Sequence, residues 1–300
     1  MRVAIHSVDS FNFPNLALMR ISAWHKARGD SVEWFMPLAR YDRVYASKVF
    51  TFTPDDPYLP EDAVRGGTGY AVESRLPDEI EATPPDYTIY PHYLAAYGFL
   101  TRGCVNACPW CVVPRKEGGI RVVADIEQIC RTNTGFRRKA VLMDNNFLAA
   151  PIDFVREQAD RMRKLRVSVD FNQATDARLY DDERAHIMAR VPWISLVRLA
   201  CDTDGMIPHV VKAMRALRKY GCKKDIFVYV LAKDGEIESA LNRIEAITAA
   251  DKRAVPFVMP FRALDRATGA PSAELRRLAR WCNRAWIRKS CRFQDYDDHK

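Results

Sequence analysis

Three cysteines fall in one short stretch, Tyr97-Gly98-Phe99-Leu100-Thr101-Arg102-Gly103-Cys104-Val105-Asn106-Ala107-Cys108-Pro109-Trp110-Cys111. Three residues separate Cys104 from Cys108, and two separate Cys108 from Cys111. Three thiolates gathered in one loop suit a soft metal centre. A four-ligand structural zinc site wants a further sulfur or a histidine close by. The next cysteine, Cys130, lies beyond Gly118-Gly119 and inside a helical pattern. The loop therefore offers three ligands and withholds the fourth. On an iron–sulfur cluster, a withheld ligand leaves one iron open to bind something else. A structural metal knot and three unrelated cysteines are the competing readings.

The elements that must position this loop come from hydrophobic periodicity and turn residues. Residues 2–8 read as a buried strand, Leu16 to Arg28 as an amphipathic helix closed by Gly29, and Ser31 to Phe35 as a second strand. Val44 to Phe52 reads as a third, with Val44, Ala46, Phe50 and Phe52 inward. This is a small parallel α/β unit, and Pro84-Pro85 and Pro91 mark the linker after it. From residue 97 onward the pattern repeats strand then helix. Strands are predicted near 97–101, 140–143, 167–171, 195–201, 226–231 and 255–259. Helices are predicted near 124–131, 151–165, 182–189, 206–220, 236–247 and 273–287. Six such units predict an all-parallel, partly closed barrel. The domains expected are 1–95, 96–265, and a basic C-terminal helix and tail at 266–300 packing on the barrel.

Composition sets the class. Hydrophobic content is 48% of 300 residues, ordinary for a globular chain. No run of eighteen apolar residues exists, so no membrane contact is expected. The opening Met1-Arg2-Val3-Ala4-Ile5-His6 reads as a strand and not as a signal peptide. Eight cysteines without secretory features point to a reducing, cytoplasmic setting. The net charge of +8 gathers late, with Arg276, Arg277, Arg280, Arg284, Arg288, Lys289 and Arg292 against Glu274. Such a helix is either a solvated face or a nucleic-acid contact. Trp281, Trp286 and Phe293 have helical spacing and read as core.

The three-then-two cysteine spacing, with Trp110 just before the last cysteine, resembles the signature loop of the radical S-adenosylmethionine superfamily. The resemblance covers residues 97–265 well. It implies a (β/α)6 partial barrel. It also implies a 4Fe-4S cluster held by Cys104, Cys108 and Cys111, with S-adenosylmethionine chelated on the fourth iron. The activity implied is reductive cleavage of S-adenosylmethionine to a 5′-deoxyadenosyl radical that abstracts hydrogen from a substrate. An electron donor such as a flavodoxin or ferredoxin is implied with it. Residues 1–95 look, more weakly, like a degenerate cobalamin-binding, flavodoxin-like domain. The histidine-bearing cobalt loop of such domains is missing. His6, His25 and His92 are unsupported as ligands, and His25 reads as a surface or capping residue. Cobalamin without a histidine ligand stays open.

Ligands of parallel α/β sheets sit beyond the carboxyl ends of the strands. Asp144, Asn145 and Asn146 stand there, where relatives often carry a Gly-Gly-Glu type motif for the amino group of S-adenosylmethionine. An Asp carboxylate and an Asn carbonyl both accept from an ammonium. An ordinary polar turn is the alternative. Asn172 and Gln173 face cofactor or substrate. Arg178 either forks a carboxylate or braces Asp176. Arg198 and Asp202 are candidates for the cofactor carboxylate and ribose. An Arg in an apolar strand needs a partner, either the cofactor or an acid such as Asp144. Cys130, Cys201, Cys222, Cys282 and Cys291 are scattered and predict no second cluster; Cys201 is expected to be buried and inert. Three function classes follow: a radical enzyme, including one that modifies or methylates RNA or a nucleotide; a non-catalytic iron–sulfur binding or scaffold protein; and a zinc-bound nucleic-acid module.

Overall fold

The computed structural model describes residues 1–10, 13–264 and 269–297. The expected boundary at 265/266 lies outside the described residues. Near the N-terminus, β1 (Arg2–Ser7), α1 (Leu16–Lys26), β2 (Ser31–Trp34), β3 (Arg43–Ser47) and β4 (Val64–Gly66) form a parallel sheet of order β2-β1-β3-β4. The apolar run Val3-Ala4-Ile5 is fully buried at its centre, as a central parallel strand requires. Asn15 caps α1 by accepting from the Leu18 N–H at 3.2 Å. The third strand stops at Ser47, so Phe50 and Phe52 are not inward. They are exposed and stack on each other with ring centroids 5.2 Å apart.

The six strands expected after residue 95 are all found, each followed by a helix. In order they are β5 (Ala96–Gly98), α2 (Ile126–Cys130), β6 (Lys139–Leu142), α3 (Ile152–Lys164), β7 (Ser168–Phe171), α4 (Asp182–Ala189), β8 (Val197–Ala200), α5 (Ile207–Lys219), β9 (Ile226–Ala232), α6 (Ile237–Ala250) and β10 (Ala254–Pro260). Then come α7 (Ala273–Asn283) and α8 (Ala285–Ser290). The strands form two parallel three-stranded sheets, β7-β6-β5 and β8-β9-β10. Isolated parallel bridges, Val169 with Trp193 and Thr175 with Leu199, carry the chain from one sheet to the next.

Period-two alternation gives these strands two different faces. Leu142, Val169, Leu199, Val228 and Val230 are fully buried on one side. Val141, Asp170, Arg198, Phe227, Tyr229 and Phe257 alternate with buried neighbours and are half-buried. The free edge of β10 is closed by Asn283, which accepts from the Val258 N–H at 2.7 Å and donates to the Val258 carbonyl at 3.0 Å. That side chain completes the bonding of an edge strand and blunts it. The last helix is not continuous. Arg284 turns extended (φ −102°, ψ 93°) and separates α7 from α8. Trp281 and Phe293 still meet edge-to-face in the core at 5.7 Å. Trp286 lies beyond the break and is 71% exposed, which corrects the expectation that all three aromatics are core. One apolar cluster runs from Ala96 to Phe293, and three smaller ones lie within residues 3–90. Among the described residues no helix is long and apolar enough to cross a membrane.

Candidate functional site

The cysteine loop leaves the sheet just after β5. Its base is a short antiparallel pairing of Thr101–Arg102 with Arg121–Val122. Gly103 begins the loop with φ +82°, and a Cβ there would stand 2.1 Å from the Gly119 carbonyl oxygen, so only glycine fits. The Cys104 N–H donates to the Gly118 carbonyl at 3.1 Å, and the Cys111 N–H to the Cys108 carbonyl at 3.0 Å.

The turn after β6 holds this loop in place. The Asp144 carboxylate is 1% exposed and accepts from the Leu100 N–H (3.1 Å), the Thr101 N–H (2.7 Å) and the Thr101 hydroxyl (2.7 Å). Burial raises its pKa to about 6 against the pull of these three bonds. Asn145 accepts from the Gly103 N–H at 3.0 Å. The Asp144 carboxylate and the Asn145 side-chain oxygen, both expected at the cofactor, are thus bonded to the entry of the cysteine loop.

Asn146 is different. Its amide nitrogen lies 3.4 Å from the Cys104 sulfur and 3.2 Å from the Asp176 carboxylate. Both are acceptors, so the nitrogen must face them and the oxygen must point away. That oxygen is buried and has no hydrogen-bond partner among the described residues. Asn106 also reaches both groups: its backbone and side-chain nitrogens are each 3.4 Å from the Cys104 sulfur, and the side chain donates to Asp176 at 2.8 Å. Arg178 forks onto Asp176 with two 2.9 Å bonds and stands beside Cys108. Burial alone would raise the Asp176 pKa, but Arg178 and Asn106 hold it below the ordinary value. Lost hydration pushes the Cys108 and Cys111 thiols up, opposed by Arg178 at Cys108 and by a backbone hydrogen bond with Val113 at Cys111, while the Cys104 sulfur adds to the rise at both.

Trp110 and Asp202 meet as a pair that brings the loop to the ends of β8 and β9. Burial raises the Asp202 carboxyl, and the Trp110 indole partly offsets it. The Lys233 ammonium sits 5.4 Å over the Trp110 ring. Arg198 does not face Asp144. It forks onto Asp170 with two 2.8 Å bonds and donates to the Tyr229 hydroxyl at 3.1 Å. Tyr229 in turn donates to the Asn172 carbonyl at 3.3 Å. Arg198 is therefore paired within the half-buried face of the strands. The Asn172 amide points toward Met143, with nitrogen and sulfur 4.0 Å apart, and Gln173 is exposed.

The structure thus brings together Cys104, Cys108, Cys111, Trp110, Asn146 and Asp202, and sets Arg198 apart with Asp170. Asn106, Asp170 and Lys233 were not foreseen. The one local signal for Asn106 is its place inside the cysteine loop; for Asp170 it is an acid in an apolar strand beside a strand that carries Arg198. Cys130, Cys201, Cys222 and Cys282 are buried, and Cys201 is pushed up to about 12 by burial. His25 is not on the surface: it is 1% exposed between Asp30 (2.6 Å) and the Tyr45 hydroxyl (3.0 Å). His6 lies 2.9 Å from Asp56. Among the described residues no three His, Cys, Asp or Glu side chains gather as a single-ion site. The chain matches no family model and no curated protein.

Proposed function

We propose that this chain is a radical S-adenosylmethionine enzyme. The six parallel strands are read as a (β/α)6 partial barrel, with the half-buried face turned toward the reaction space. The observation that carries the proposal is the unpartnered buried oxygen of Asn146, a residue whose amide nitrogen faces the Cys104 sulfur. A buried acceptor without a donor costs roughly 1–3 kcal/mol, and an ammonium group placed there satisfies it. The donor set fits the group as well: Cys104, Cys108 and Cys111 would each ligate a different iron of a 4Fe-4S cluster, so they need not converge on one ion. Held by these thiolates, such a cluster would supply the electron for reductive cleavage of S-adenosylmethionine. The chain itself does the positioning. Asp144 and Asn145 fix the entry of the cysteine loop, Asn146 would accept the amino group, and Trp110 with Asp202 and Lys233 ties the far end of the loop to the strand ends.

Anaerobic reconstitution with iron and sulfide, followed by dithionite and S-adenosylmethionine, tests the reading. Formation of 5′-deoxyadenosine is expected, and Cys108→Ala is expected to lose both bound iron and this product. Full iron retention by Cys108→Ala would sink the proposal. An RNA substrate is the second reading, favoured by the exposed Trp286 in a groove of about 620 Å³ lined by Arg284 as well as by Asp295 and Asp297. A base can stack on such a ring. It predicts salt-sensitive RNA binding that Trp286→Ala weakens.

A further inference from the structure

We infer that Asp176 is the positioning residue that arranges hydrogen bonds on the cluster sulfurs and so sets the reduction potential of the centre. The inference rests on the cluster reading above. One carboxylate gathers the side-chain donors Asn106, Asn146 and Arg178 that stand near Cys104 and Cys108. Its Oδ2 accepts from Asn106 (2.8 Å), Asn146 (3.2 Å) and the Arg178 Nη2 (2.9 Å). Its Oδ1 accepts from the Arg178 Nε (2.9 Å) and the Arg178 backbone N–H (3.1 Å). An amide nitrogen has two hydrogens. Asn106 and Asn146 each give one to Asp176, which turns the other toward the Cys104 sulfur, 3.4 Å away in both cases.

The carboxylate is itself held still. Asp176 caps the short helical turn Ala177–Leu179, and its neighbour Thr175 is bonded to the Arg198 carbonyl by its N–H (2.9 Å) and its hydroxyl (3.0 Å). Cys104 thus receives three N–H groups, of which only the Asn106 backbone N–H (3.4 Å) would survive free rotation of the two amides. Hydrogen bonds to cluster sulfurs stabilise the more negative, reduced form and raise the potential. The same constraint keeps the Asn146 oxygen turned away from the sulfur. Asp176 touches no reacting atom in this account; it acts through Asn106, Asn146 and Arg178.

The experiment uses the full chain, reconstituted anaerobically with iron and sulfide, and the double variant Asp176→Ala/Arg178→Ala. Arg178 also stands beside Cys108, so Arg178→Ala alone is measured with it, and the shift of the double variant beyond that of Arg178→Ala reports the bonds that Asp176 arranges. Iron and sulfide contents and the midpoint potential, from a redox titration followed by electron paramagnetic resonance, are measured without substrate. The expected result is a full cluster with a more negative potential, and little further shift on adding Asn146→Ala. A full cluster at the potential of the parent or of Arg178→Ala would overturn the inference. Loss of the cluster in the variant alone would also overturn it, because the carboxylate would then be needed to build the loop. If the parent chain loads no cluster, the underlying reading of the thiolates fails and the inference falls with it.

Discussion

Replacing Gly103 by Ala asks whether the cysteine loop is held by its own backbone. Gly103 has φ +82°, and its Cβ would lie 2.1 Å from the Gly119 oxygen and 2.6 Å from the Gly119 carbonyl carbon. Backbone cannot swing aside as a side chain can, so the two strands of the loop must part. The left-handed conformation costs about 1–2 kcal/mol for a residue with a Cβ. Parting the strands also breaks the Gly103 bond to Asn145 and the Cys104 bond to Gly118, each worth about 1 kcal/mol. The sum, about 3–4 kcal/mol, corresponds to roughly 100- to 1000-fold easier opening of the loop. Gly118→Ala is the control. Gly118 also has positive φ (+72°), but nothing lies within 4 Å of its Cβ position. Only the conformational term applies there, so opening should rise roughly tenfold. Hydrogen–deuterium exchange of peptides spanning residues 103–120 reads both. Urea unfolding should lose no more than the free energy of loop closure, because Val105, Ala107 and Pro109 are exposed and an opened loop leaves the core in place. Equal exchange in the two variants would refute the steric argument.

Three further outcomes are expected. Asp144 has a folded pKa of about 6 against an ordinary 3.8, so its contribution is complete below 3.8 and is lost as pH rises through 6. Between pH 5 and pH 7 it should remove about 1 kcal/mol of stability; urea titrations at the two pH values should show that slope in the parent and not in Asp144→Asn. Arg166 closes α3 with φ +55°, where the Val167 N–H reaches the Met162 carbonyl (2.8 Å) and the Arg166 N–H the Arg163 carbonyl (3.1 Å). This position favours glycine, and Arg166→Gly should raise stability by about 1 kcal/mol on thermal unfolding; an unchanged or lower midpoint would contradict this. Arg198→Met strands the largely buried Asp170 and should cost about 3 kcal/mol, most of it recovered in Asp170→Leu/Arg198→Met; a double variant as unstable as the single one would show that the fork is not what matters.

Much of the architecture could be read from local order. Strand alternation and helical periodicity are properties of neighbouring residues, so β6 to β10 and their helices emerge within a few positions of where they were expected. The cysteine spacing is equally local, and it names the three thiols without any fold. The partners of those thiols are not local. Asn106 meets Asp176 across 70 positions, Asn146 meets it across 30, and Arg198 meets Asp170 across 28. No periodicity encodes such pairs, because they exist only once parallel strands bring their carboxyl ends to one edge. That is why Asp144 looked like a ligand and is a brace for Leu100 and Thr101. It is also why Trp286 looked like core: its spacing fits one long helix, and the turn at Arg284 sends its ring to the surface. The sequence by itself determined where the clustered thiols lie and which elements flank them. The tertiary structure decided which polar groups satisfy one another and left the Asn146 oxygen over, since satisfaction of a buried group depends on everything that surrounds it in space.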